Sequence, residues 1–135
     1  MSNKDLQVLM LEEDNDDRYI TEDLMQQLGF TQPPTFFSNS EDLFRFLSVS
    51  TKPSLILIDY NLSIENGLEV LKKIKVDPNF KKFPVIILSD SALPKYVQEC
   101  YAYGASSYIK KPNNVSETRK KIEIFFQYWF EVAEL

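Results

Sequence analysis

The chain has 135 residues, of which 44% are hydrophobic and 26% charged, the size and balance of one globular domain spanning 1–135. Its formal net charge of -5 lacks the basic footprint that binding to nucleic acid or an anionic membrane needs. With no histidine and a single cysteine, Cys100, it excludes Ser-His-Asp and Cys-His catalysis, His-based or multi-thiolate metal sites and an internal disulfide.

The polar lead-in at 1–5 runs into a short apolar stretch that acidic residues close, which is neither a signal peptide nor a membrane span. A reducing compartment, the cytoplasm, is the expected location. The stretch 6–11 reads as a buried strand. A helix follows over 15–28, with Ile20, Leu24 and Leu28 at four-residue spacing and Gly29 placed for a left-handed cap. Pro33-Pro34 turns the chain into a short strand at 35–37, and Ser40-Glu41-Asp42 opens a second helix. The clearest buried strand is 54–58, followed by a helix over about 65–76. Another apolar strand at 84–88 precedes a helix at 94–103, which Gly104 stops. A short strand at 107–109 leads to a long last helix, 116–133. The three glycines form no phosphate-binding loop motif.

Five strand–helix alternations predict an α/β fold: a five-stranded parallel sheet with helices on both faces. Right-handed crossovers put all strand C-termini on one edge, where such sheets bind ligands. The residues expected there are Glu12-Glu13-Asp14, Asp59-Tyr60-Asn61, Ser89-Asp90-Ser91 and Lys110-Lys111-Pro112. Carboxylates converging from two strands repel unless a cation sits among them. With oxygen ligands only, that cation is a hard one, Mg2+. A cation, a lysine and a hydroxyl bind a phosphoryl group, and an aspartate in line with it is a nucleophile.

These blocks resemble the receiver domain of two-component response regulators, with its CheY-like, flavodoxin-like doubly wound fold. Leu11-Glu12-Glu13-Asp14 is similar to the family's acidic pair. Leu57-Ile58-Asp59-Tyr60-Asn61-Leu62, followed by Asn66-Gly67-Leu68-Glu69, is similar to its phosphoacceptor strand and loop. Val85-Ile86-Ile87-Leu88-Ser89 and Tyr108-Ile109-Lys110-Lys111-Pro112 complete the set, covering essentially the whole chain. The resemblance implies that Asp59 is phosphorylated and that Glu12 and Glu13, with Asp59 and the Asn61 carbonyl, hold Mg2+. Ser89 and Lys111 then bind the phosphoryl group, and the Lys111–Pro112 bond is often cis in the family. Tyr108 is either the switch aromatic that turns as Ser89 moves or ordinary strand packing.

Four positions depart from the family pattern. Glutamates replace aspartates at 12 and 13. Ser63 stands where proline is common, which should loosen the loop after Asp59. Ser89 replaces the commoner threonine. Asp90 occupies a position that is usually small, beside the phosphate or pointing outward. Asp14, Asp16 and Asp17 read as a solvated face at a helix start.

In the last helix, Ile122, Phe125, Phe126, Trp129 and Ala133 form a sheet-facing stripe. Ile124, Tyr128 and Leu135 form a second, opposite one, expected to contact a protein target or a second copy of the chain, or to be a frayed end.

The resemblance implies a stand-alone receiver, not an enzyme on an external substrate, whose phosphodonor is a histidine kinase or phosphotransfer protein. A degenerate receiver that binds partners without phosphorylation is the alternative. A phosphatase with an aspartate nucleophile is disfavoured because Asn61 replaces its second aspartate. A flavin carrier is disfavoured because no phosphate loop follows the first strand.

Overall fold

The computed structural model describes residues 5–30 and 32–135; residues 1–4 of the lead-in and Thr31 lie outside them. In chain order the elements are β1 Gln7–Leu11, α1 Asn15–Gln27, β2 Thr35–Phe37, α2 Ser40–Val49, β3 Ser54–Asp59 and α3 Gly67–Val76. They continue with β4 Val85–Ser89, α4 Pro94–Ala102, β5 Ser107–Lys110 and α5 Val115–Gln127, then a π-helical turn, Tyr128–Val132. The strands form one parallel sheet in the order β2-β1-β3-β4-β5.

Local chemistry sets the helix starts. Asp14, Asn39, Asn66 and Asn114 cap α1, α2, α3 and α5, each side chain accepting the backbone N–H three residues on. The Asn66 cap is why α3 begins at Gly67 and not at the expected residue 65. Gly29 and Gly104, at φ +87° and +102°, turn the chain out of α1 and α4. The last helix departs from expectation. Its α-helical hydrogen bonding gives way at Tyr128 to a π-helical turn, and Ala133 is the cap residue beyond it and not part of the stripe.

Strand alternation divides the core. Leu9, Leu11, Ile56, Ile58, Val85 and Ile87 face one way and pack with Leu43 and Leu47 of α2, Leu71 and Ile74 of α3 and Cys100 of α4. Val8, Met10, Leu55, Leu57 and Ile86 face the other way, against Met25 of α1 and Phe126 of α5. Ile122, Phe125 and Trp129 lean on this second cluster as the stripe predicts, and Phe130, unforeseen, joins them by stacking on Phe30 at 5.8 Å. Every residue of β3 is buried, as a central strand covered on both faces requires. No described helix is long and apolar enough to cross a membrane.

Candidate phosphoacceptor site

The order β2-β1-β3 reverses direction at β1, so the crevice between the ends of β1 and β3 is the switch point of the sheet. Leu11 is in register with Ile58, which brings Glu12 alongside Asp59. The backbone fixes both: the Glu12 N–H donates to Phe37 O at 3.0 Å, and the Tyr60 N–H donates to Leu88 O at 2.8 Å. From the other side, the Lys111 N–H donates to Ser89 O at 2.7 Å, tying the ends of β4 and β5 together.

Lys111 is the electrostatic centre. Its Nζ lies 2.9 Å from Glu12 Oε1, 3.0 Å from Asp17 Oδ2 and 3.4 Å from Asp59 Oδ2. Three carboxylates thus share one ammonium. Glu12 is only 2% exposed; burial, reinforced by the neighbouring Asp59, pushes its carboxyl up to about 7 even though Lys111 pulls it down. Burial alone lowers a lysine, but Glu12, Asp59 and Asp17 overcome it and hold Lys111 above its usual range. The Lys111–Pro112 bond is trans, in contrast to the cis form often found in the family; among the described residues no peptide bond is cis. Lys111 is held inward by its ion pairs.

Asp59 is buried, and its Oδ1 accepts the Asn61 N–H at 3.0 Å. Asn61 is exposed at the start of the following loop. The Ser89 Oγ is buried, lies 3.5 Å from Asn61 Oδ1 and accepts the Ser91 N–H at 3.2 Å. Tyr108 is half-buried: its hydroxyl donates to Ser91 O at 2.6 Å, and its ring lies 6.5 Å from that of Tyr60. The aromatic is therefore tethered two residues beyond Ser89. Asp90 is exposed and lines a cavity of about 310 Å3 between α1 and α5, whose walls include Met10, Ile20, Leu57 and Phe125.

Glu13 does not join the cluster. Its Oε1 accepts the Ser63 N–H at 2.9 Å and its Oε2 accepts the Ser63 hydroxyl. Ser63, expected to loosen its loop, instead staples it to the loop after β1. Among the described residues no three acidic side chains stand together in metal-holding geometry. The donor chemistry nevertheless suits a hard cation: two carboxylates side by side, one deeply buried and resisting ionisation, with only oxygen ligands around them.

Sequence reasoning missed two residues. Asp17 is not purely solvated, since it shares Lys111 from the first turn of α1. Arg18 donates from Nε to the Glu12 carbonyl and from Nη2 to Ser38 Oγ at 2.9 Å, and covers the Phe36 ring, so it fixes the β1 end. No sequence motif marks either one; only the placement of α1 over the strand ends does.

Comparison with known proteins places the chain in a family. The family profile described as the response regulator receiver domain matches residues 8–123. The chain belongs to that family. It is 34% identical to Response regulator Rcp1 of Synechocystis sp. over 86 residues, covering 64% of this chain and 58% of the relative. It is 39% identical to Two-component response regulator ARR17 of Arabidopsis thaliana over 69 residues, covering 51% of this chain and 45% of the relative. The chain spans about half the length of these curated relatives. Among solved structures, a response regulator from Hahella chejuensis superposes with a TM-score of 0.84 at 27% identity, over 96% of this chain and 98% of that one. The Mn(2+)-bound form of response regulator Rcp1 superposes at 0.83 with 24% identity, over 97% and 98% of the two chains.

Proposed function

We propose that this receiver accepts a phosphoryl group on Asp59 from a phosphohistidine of another protein, with a divalent cation at the strand ends, and thereby changes its affinity for a partner. The observation that carries the reading is the convergence of Asp59, Glu12 and Lys111 at the switch point, with Ser89 at the end of the neighbouring strand. The donor imidazole comes from elsewhere, a histidine kinase or phosphotransfer protein, because the chain has no histidine. In the step itself an Asp59 carboxylate oxygen attacks phosphorus; the O–P bond forms as the N–P bond breaks, and the bonding pair leaves with the imidazole.

Each neighbour has a role in this reading. Lys111, 3.4 Å from Asp59 Oδ2, turns from carboxylate to phosphoryl oxygen. The Ser89 hydroxyl donates to a second phosphoryl oxygen. Tyr108, tied to Ser91 O, is coupled to the segment that begins at Ser89, which supports the switch-aromatic role over ordinary strand packing. Glu12, Asp59 and the Asn61 carbonyl, with Glu13 once free of Ser63, hold the cation; a Mn(2+)-bound form of the similar Rcp1 exists, and Mg2+ is the ion the oxygen donors favour. When bound, the cation offsets the charge of the phosphoryl oxygens.

The test is intact mass after incubation with acetyl phosphate and Mg2+, beside Asp59→Asn. An adduct that requires both Mg2+ and Asp59 supports the reading. The engagement of Glu13 by Ser63 favours a second reading, a receiver that binds partners without phosphorylation; absence of both adduct and Mg2+ binding selects it. An adduct on the Asn variant refutes the assignment of Asp59.

A further inference from the structure

We infer that Ser63 is a latch on Glu13, and that Ser63 and a divalent cation compete for one carboxylate. The inference rests on the proposed cation site and goes beyond it by assigning a positioning residue that sets how readily the site fills.

Both Glu13 oxygens are engaged at once, Oε1 by the Ser63 N–H at 2.9 Å and Oε2 by the Ser63 hydroxyl. A charge-assisted pair of this kind is stronger than a neutral one. The two backbones that present it are independently fixed. On one side Glu12 is bonded to Phe37 O and Asp14 caps α1. On the other, the loop of Ser63 is closed by the Gly67 N–H donating to Tyr60 O at 2.9 Å and by the Asn66 cap of α3. What remains free to move is the Glu13 side chain itself. In its present rotamer it contributes nothing to Glu12 and Asp59, and no described trio of acidic groups is arranged around a cation.

A hard cation gains from each added anionic oxygen. It therefore draws Glu13 in only by breaking both bonds to Ser63, whose exposed donors then return to water. The latch lowers cation affinity by the net value of those bonds. It also couples occupancy to the loop: with Glu13 on Ser63 the loops after β1 and β3 are stapled, and with Glu13 on the cation the staple is open.

The experiment is a calorimetric Mg2+ titration of the full chain, comparing wild type, Ser63→Ala, Ser63→Pro and Glu13→Gln, with each Ser63 variant also combined with Glu13→Gln. Ser63→Ala removes the hydroxyl and is expected to tighten Mg2+ binding roughly threefold; Ser63→Pro also removes the amide donor and is expected to tighten it about tenfold. Glu13→Gln weakens binding, and on that background neither Ser63 variant gives any gain. In wild type, the Ser63 amide resonance shifts on Mg2+ addition and its hydrogen exchange accelerates.

Binding by wild type with no gain in Ser63→Ala or Ser63→Pro, or a Ser63 amide unmoved at saturating Mg2+, overturns the latch and leaves the cation site standing. No binding in any variant overturns the cation site and the latch with it. Binding that appears only once Ser63 is replaced supports the latch in its strongest form.

Discussion

Gly67 is the glycine that packs most tightly on β3, the strand that ends in Asp59. A Cβ added there falls 2.8 Å from Tyr60 Cα, 2.9 Å from the Asp59 carbonyl oxygen and 3.2 Å from Ile58 Cγ2. Comfortable carbon–carbon separation is about 3.5–4.0 Å, so Gly67→Ala requires a displacement of roughly 0.5–1 Å. Two of the three obstacles are backbone, and that backbone is held by the Tyr60 N–H on Leu88 O and the Gly67 N–H on Tyr60 O. Overpacking of this kind costs about 1–3 kcal/mol, and the better helix propensity of alanine returns less than about 1 kcal/mol. A net loss of about 1–2 kcal/mol is expected, which lowers the Tm by roughly 4–8 °C for a chain of this size. Urea unfolding followed by Trp129 fluorescence measures it as a lower midpoint at unchanged slope.

Asp59 moves with the strand, so acetyl-phosphate labelling of the folded Gly67→Ala protein should also fall. Gly29→Ala is the control: Gly29 has φ +87° but no atom within 4 Å of its built Cβ. Its cost is backbone strain alone, about 1–2 kcal/mol, with labelling unchanged. Gly67→Ala matching wild type in both stability and labelling refutes the claim that this contact positions the site.

The other predictions follow from charge and packing. Glu12 is held at about 7 in the fold against 4.5 ordinarily. The folded state therefore binds the extra proton between those values, and this group's contribution to stability falls as pH rises through that window. Relative to Glu12→Gln, metal-free wild type should lose up to about 3 kcal/mol between pH 4.5 and 7; parallel curves contradict this. Lys111→Met leaves Glu12 and Asp59 without their shared cation and should cost about 2–4 kcal/mol at pH 8, with the loss shrinking at pH 5 as Glu12 protonates; a pH-independent loss argues against it. Asp17→Asn, at a side chain 45% exposed, should change stability by less than about 1 kcal/mol in the same urea assay. Phe126→Ala removes a ring 1% exposed that meets Phe30, Phe125 and Phe130, and should cost about 3–5 kcal/mol, whereas Ile124→Ser on the exposed face should stay within about 0.5 kcal/mol.

The repeated alternation of apolar strand-like runs with helical segments made the parallel sheet legible from sequence. Asp59, Glu12 and Ser89 were legible because each immediately follows or ends such a run, and Lys111 because it follows a short fifth strand; right-handed connections send all those ends to one edge. Less legible was everything decided by side-chain rotamers across loops. Glu13 neighbours Glu12 in the chain, yet consecutive side chains leave the backbone in different directions, and Ser63 offered Glu13 two donors. Asp17 looked like part of a solvated run because its partner is 94 residues away. The end of α5 was misjudged for a related reason. The apolar stripe has the spacing of an α-helix, but the aromatic packing of Phe130 on Phe30 and Phe126 is tertiary, and nothing in local propensity announces a π-helical turn.

The ion pair between Lys111 and Glu12 joins residues 99 apart in the chain, and this sets when the site can exist. β1 pairs with β3 and not with its successor alone, so the crevice opens only after a long loop has closed, a slow and late class of event in folding. Lys111 comes later still in the chain, immediately after the fifth strand at the sheet's far edge. A molecule with its last strand undocked has Asp59 and Glu12 side by side and no ammonium between them. Under the proposed function, labelling of Asp59 is therefore also a readout of assembly, because only chains that have docked β5 carry the full charge set.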